Sequence, residues 1–316
     1  MPYFWKTKTL LVKIEGGGYG VDPVPTGAAN AVLAIDVTLS PMEGEDVDRN
    51  LEQPKMGASP SMPAGVYAKL TFSVEAASSG ALGTAPAYGP LLRMCSVAET
   101  VTAATKVEYT PVTGGPESGA IYFAIGDGLG NAVRHVILGA RGTCVFRLNA
   151  QGIPMWMFTI SGLFTIPTTV AAVSPTLTGF KAPMIASKAN TPTFTIGGTG
   201  FTLRDFEFDM GVDVQMRMLV GQEVAMVVDK KESLKATVEA VALATYDPFT
   251  SATAQTQRAI QLVHGVGAGK VLQLDFPVTT QKRLTGYQQP QNIVEWPLEF
   301  VPLQNAGDDQ WKLTIR

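Results

Sequence analysis

Punctuation constrains this sequence more than any other feature. The 316 residues include 32 glycines and 21 prolines, spaced so closely that long helices cannot be written through them. Between the breakers, apolar and polar residues alternate. "GVYAKLTFSVEA" (65–76) has the period of two expected of a half-buried strand. "TLLVKIE" (9–15), "KVEYTPV" (106–112), "GAIYFAIGDG" (119–128), "AVRHVILGA" (132–140), "TCVFRLNAQG" (143–152) and "PMWMFTISGLF" (154–164) continue the pattern. Ala150-Gln151-Gly152 reads as a hairpin turn, with Gly152 free to take positive φ. The chain is therefore expected to be mainly β, with about two domains at ~150 residues each.

Helix enters only in short pieces. "PLLRMCSVAE" (90–99) has a proline at a plausible first helical position, and Leu91, Leu92, Met94 and Cys95 can share one face. "PFTSATAQTQRAIQLVHG" (248–265) is the second helical candidate. The reading divides the chain into an N-terminal arm (1–30), a first β-domain (31–165), an extended Pro/Thr/Ala-rich linker (166–190) and a second β-domain (191–316). "LKATVEAVA" (234–242) resembles "AKLTFSVEA" (68–76), and Trp156 and Trp296 each sit in a late strand near a proline. These features point to a weak internal repeat.

Composition excludes several functions. Charged residues make up 16% and hydrophobic residues 46%, against a usual charged share of roughly 25%. Surface that one copy leaves open is thus expected to be covered by another. Net charge is −3 with no Lys/Arg run, which removes the footprint of a nucleic-acid gripper. The N-terminus lacks the apolar region of a signal peptide. The least charged stretch, 152–181, is broken by Pro154, Pro167 and Pro175, against a membrane helix. Cys95 and Cys144 are expected to be buried, reduced and structural.

No motif reaches a chemistry. In "VHGVGAGKV" (263–271) a phosphate loop would need glycine where His264 stands and a hydroxyl where Val271 stands. "GDGLGN" (126–131) lacks the third glycine of a dinucleotide loop and leads into strand-like sequence. Neither His135 nor His264 has a metal ligand at suitable spacing. Glu43, Glu45, Asp46 and Asp48 lack the grammar of a calcium loop. No catalytic residue, metal or cofactor is expected. Asp205, Glu207 and Asp209 alternate with Phe206, Phe208 and Met210, so a strand here lines one face with carboxylates.

In order and spacing, several stretches resemble the major tail (tail tube) proteins of long-tailed, non-contractile bacteriophages. They are Lys13-Ile14-Glu15, Tyr19-Gly20, Pro25-Thr26-Gly27 and the strand into Pro41, then "YGPLLRMCSVAET" (88–100) and "LGARGTCVFRLNAQGIPMWMFTISGLF" (138–164). The resemblance is strongest over residues 8–165. It implies two tandem tail-tube-type β-sandwich or barrel domains, each with a short flanking α-helix and long loops. It also implies a structural virion protein, not an enzyme, that stacks in rings to form the conduit for DNA ejection.

On that resemblance the partners are copies of itself, a tail tip or initiator, a tape measure protein and a tail terminator. Double-stranded DNA passes through without specific binding, and the protein is assembled in the host cytoplasm and located in the virion tail. Asp205, Glu207 and Asp209 become an acidic lumen wall. Glu45, Asp46, Asp48, Arg49, Lys55 and Met56 become an inter-ring or inter-subunit loop, and Tyr19, Asp22 and Pro25 belong to the N-terminal arm. The preferred ring is a trimer with pseudo-sixfold symmetry. The alternatives are hexameric rings of one tube domain plus a decoration domain, or a β-rich carbohydrate-binding or adhesin module of a virion.

Overall fold

Alternating side chains give each strand one apolar face, which must be buried against another layer. The computed structural model describes residues 2–316 and is mainly β. Strand β1 (Lys8–Ile14) is followed by a single turn, α1 (Gly27–Asn30), and the short β2 (Ala31–Val32). Next, β3 (Ile35–Asp48) and β4 (Ser61–Glu75) form a long hairpin. After α2 (Gly89–Arg93) come β5 (Val97–Thr102), β6 (Lys106–Pro111), β7 (Gly119–Gly126), β8 (Asn131–Asn149), β9 (Met155–Leu163) and β10 (Thr168–Ala171).

The remaining strands are β11 (Thr193–Ile196), β12 (Thr199–Gly200), β13 (Leu203–Asp209), β14 (Val212–Leu219), β15 (Gln222–Lys230) and β16 (Ser233–Glu239). Helix α3 (Pro248–Thr253) then precedes β17 (Gln257–His264), β18 (Leu272–Gln281), β19 (Glu295–Pro302) and β20 (Lys312–Ile315).

The first half pairs in the order β1–β7–β8–β9–β4–β3, with β10 added to β8. The second half pairs as β11–β17–β18–β19–β16–β13, with β20 added to β18. Every pairing is antiparallel, and the two orders match strand for strand. Registers match as well: Val74 lies opposite Trp156 in the first half, and Val238 opposite Trp296 in the second. Helix α2 follows β4 as α3 follows β16.

Two ladders tie the halves together. Strand β13 pairs with the C-terminal part of β8, from Asp205–Asn149 to Asp209–Val145, and β20 pairs with β6. Beneath the first ladder the aromatic side chains form an unbroken chain. Phe146 packs on Trp156 with ring centroids 4.8 Å apart. Phe206 lies 6.2 Å from both Phe146 and Phe276, and Phe208 is 5.2 Å from Trp311. All belong to one buried cluster. Each such ring contributes roughly 1.5–3 kcal/mol by leaving water.

Some local expectations change. The positive φ of the 150–152 turn falls on Gln151 (φ 64), not on Gly152. The helical reading of 248–265 holds only for Pro248–Thr253, where the Asp247 carboxylate accepts from the N–H groups of Phe249 and Thr250. From Gln257 onward, alternating burial turns the same stretch into β17. The 166–190 segment is not wholly a connection, because Thr168–Ala171 adds a strand to β8. The first thirty residues are not wholly an arm, since Leu10, Leu11 and Val12 are buried in β1. Cys95 and Cys144 are free and buried, as expected.

The shared core predicts one cooperative unfolding transition in urea. Phe206→Ala, which removes the ring linking the two halves, is expected to lower stability by about 3–5 kcal/mol. Two separated transitions in the wild type would contradict a common core.

Candidate functional site

The sequence motifs with a possible chemistry resolve into turns. Asp127 closes the β7–β8 turn by accepting from the N–H groups of Leu129 and Asn131. Residues 265–269 form the β17–β18 turn, with positive φ at Gly265, Gly267 and Gly269. His264 is buried between the Thr191 hydroxyl (2.9 Å) and the Met184 carbonyl (3.1 Å). Among the described residues no His/Cys/Asp/Glu group could hold a metal ion, and no helix is long and apolar enough to cross a membrane.

What stands out is a surface. In sheet order, β3, β4, β9, β8, β13, β16 and β19 form a continuous ribbon. One face supplies the core through Leu70, Trp156, Phe146, Phe206, Ala236 and Leu298. The other is polar. Across it a charged row runs Arg147, Glu207, Lys235, Glu299 by strand pairing, and the Lys282 amide bonds to the Glu299 carbonyl.

Asp205, Glu207 and Asp209 share this face, as alternation requires. They do not form an unbroken acidic wall. Glu207 accepts from Arg147 Nε (2.7 Å) and Lys235 Nζ (3.1 Å). Burial pushes its carboxyl up, but those two cations outweigh burial and hold it below the ordinary value. Asp209 caps the Gly211 N–H. Asp205 accepts from the Thr237 hydroxyl (2.9 Å), yet burial, with the Glu295 and Glu207 charges, pushes its carboxyl up. Beside it Arg204 forks onto Glu295 at 2.5 and 2.6 Å.

The arm residues are held by their own chain. The Tyr19 hydroxyl accepts from the Ala225 N–H (2.6 Å), and Arg141 donates to the Ala225 carbonyl (2.9 Å). Gly139, at φ +57, leaves room for the Tyr19 ring, which a Cβ there would meet at 2.4 Å. Tyr122 donates to Asp22, and Pro25 is buried. Glu45, Asp46 and Asp48 lie on the outer half of β3, while Arg49, Lys55 and Met56 lie at the hairpin tip; all six are exposed.

Two features had no sequence signal. Among the described residues the ribbon ends in open edges: β3 pairs only with β4, and at the far end residues 282–288 run beside β19 through the Lys282–Glu299 and Gln288–Glu295 bonds with no strand on their other side. A groove of ≈ 630 Å³ adjoins this second edge, lined by residues including Asp229, Lys231, Glu232, Lys282, Val301 and Gln310. Glu232 and Gln310 are 9% and 6% exposed, and the Oε1 atom of each is buried without a hydrogen-bond partner. Burial pushes the Glu232 carboxyl up.

No protein-family model matches the chain, and no curated protein matches it significantly.

The raised Asp205 carboxyl gives a signed pH prediction. A group that binds its proton more tightly when folded loses stability as pH climbs through the carboxylate range. Asp205→Asn keeps an acceptor for Thr237 and removes the charge. It is expected to raise the melting temperature relative to wild type at about pH 7, with the gain vanishing near pH 3. A gain that is equal at both values contradicts the assignment.

Proposed function

We propose that this chain is the structural building block of a hollow tube of the bacteriophage tail type, assembled from copies of itself in the host cytoplasm and carried in the virion tail. The observation that carries the reading is the in-chain ladder between β8 and β13. Two units of matched strand order are already fused edge to edge, and one open edge remains at each end of the fused ribbon. A head-to-tail contact of this kind generates a ring when its rotation closes.

Each half contributes four strands to the ribbon: β3, β4, β9 and β8 in the first, and β13, β16, β19 and the 282–288 edge in the second. Three chains would then supply about two dozen strands. At ~4.8 Å per strand and a tilt of ~40°, the closed sheet is roughly 45–50 Å across between facing backbones, which leaves a passage wider than a DNA duplex. The matched strand order favours two tandem tube-type domains and a pseudo-sixfold trimer over one tube domain with a decoration. The polar face, where Arg147 and Lys235 are engaged by Glu207, has no basic stripe to grip phosphates. DNA would pass without being held.

A carbohydrate-binding reading rests on the exposed aromatics Tyr3, Phe4 and Trp5. The Lys8 ammonium sits 4.1 Å over the Trp5 ring, on the face a sugar would stack against, so the assembly reading is preferred.

Electron micrographs of the purified protein at rising concentration test the proposal. Hollow rods or rings with a central channel are expected, with no retention of duplex DNA at physiological salt. A uniform monomer at every concentration contradicts it.

A further inference from the structure

The in-chain joint between the two halves has a counterpart that the single chain leaves unmade. Aligning Val74–Trp156 with Val238–Trp296 fixes which residues correspond. Thr38, paired with Thr71, occupies the place of Glu207, paired with Lys235. The β8–β9 and β18–β19 registers place Gln281 at the position of Gly142. The Gln288–Glu295 bridge places Gln288 at the position of Arg147, which lies opposite Met155. Residues 143–147 of β8 therefore correspond to 282–288, a segment two residues longer. The segment that receives β13 in the first half is thus the unpaired edge of the second half, and the strand that docks in the second half is the unpaired β3 of the first. Leu148, opposite Phe206, is buried. At the open edge of the second half, Tyr287 beside Gln288 is 61% exposed, with Ile293 and Val294 exposed as well.

We propose that copies join head to tail, the outer edge and hairpin of β3–β4 in one copy docking on residues 282–288 and the adjoining groove of the next. The inference rests on the self-assembling reading and names its joint. In the chain, the β14–β15 hairpin seats on the first half: Val212 donates to the Thr143 hydroxyl (3.1 Å), and Met218 lies over Gly65. Transposed to the intermolecular joint, the Val212 backbone becomes that of Glu43 and Thr143 becomes Lys282, while Met218 becomes Arg49 and Gly65 becomes Asp229. The joint thus brings Glu43 into the neighbourhood of Lys282 and sets Arg49 over Asp229.

The groove supplies the second, independent argument. Its two orphaned atoms, on Glu232 and Gln310, are both acceptors, so the missing occupant is a donor. Arg49, carried by the hairpin, is a donor delivered to that rim. Backbone pairing supplies the affinity, and the charge pairs set the register.

Because Cys95 and Cys144 are fully buried, introduced surface cysteines report alone. One chain carrying Thr38→Cys is mixed with another carrying Gln288→Cys, the counterpart of Arg147, or, two residues back, Gly286→Cys. Directly opposed antiparallel residues lie about 4.5–5.5 Å apart, within disulfide reach. Oxidation is expected to give a disulfide dimer from the mixture, and a ladder when one chain carries both cysteines. Lys282→Glu is expected to raise the concentration for half-assembly about tenfold, with Glu43→Lys in the same chain restoring it. The melting temperature of the dilute monomer should be unchanged in both, which separates a broken joint from a damaged fold.

If wild type assembles but neither cysteine pair closes and the charge reversal has no effect, this joint is wrong while tube formation stands. If wild type never assembles, both fall.

Discussion

Everything in this molecule depends on the pairing of β13 with β8. Five consecutive residue pairs, Asn149–Asp205 through Val145–Asp209, turn two sheets into one ribbon. They also place Phe206 and Phe208 where they can reach Phe146, Phe276 and Trp311. A β-sheet edge must be closed, covered or paired. The chain uses its own second half to satisfy the edge of β8. The repetition that permits this leaves the same need at both ends of the ribbon.

The polar and apolar faces of the ribbon answer different demands. On the inner face, Leu70, Phe72 and Val74 of β4 correspond to Leu234, Ala236 and Val238 of β16, all buried. On the outer face, charges are arranged in opposed pairs, so Glu207 is shared between Arg147 and Lys235. Exposed ion pairs of this kind contribute little to stability. Their effect is to engage both basic groups beside Glu207.

Much of the fold was legible because burial dictates alternation. The strands around Leu70, Phe123, Phe146 and Trp156, and the short helix at Pro90, follow from period and punctuation alone. The Lys-x-Thr and Val-Glu-Ala echo between 68–76 and 234–242 pointed to the repeat. The helix expected through 248–265 failed because its polar residues also alternate from Gln257, and tertiary pairing with β11 and β18 decides such ambiguity. The open edge at 282–288 was invisible: "KRLTGYQ" has no period, and only Leu284 in it packs against the core. Alternation put the three carboxylates on one face, but the pairing of Glu207 with Arg147 and Lys235 depends on long-range register that local sequence does not carry.

The central claim is that the ribbon's two outer edges are incomplete in one chain and completed by another. Hydrogen exchange, followed by mass spectrometry on dilute and concentrated protein, addresses it most directly. The account predicts that the amides of 35–48 and 282–288 exchange quickly in the dilute chain and become protected on assembly, while 145–149, already paired with β13, is protected in both. Equal exchange of the two edges at all concentrations, in protein shown to have assembled, would contradict it.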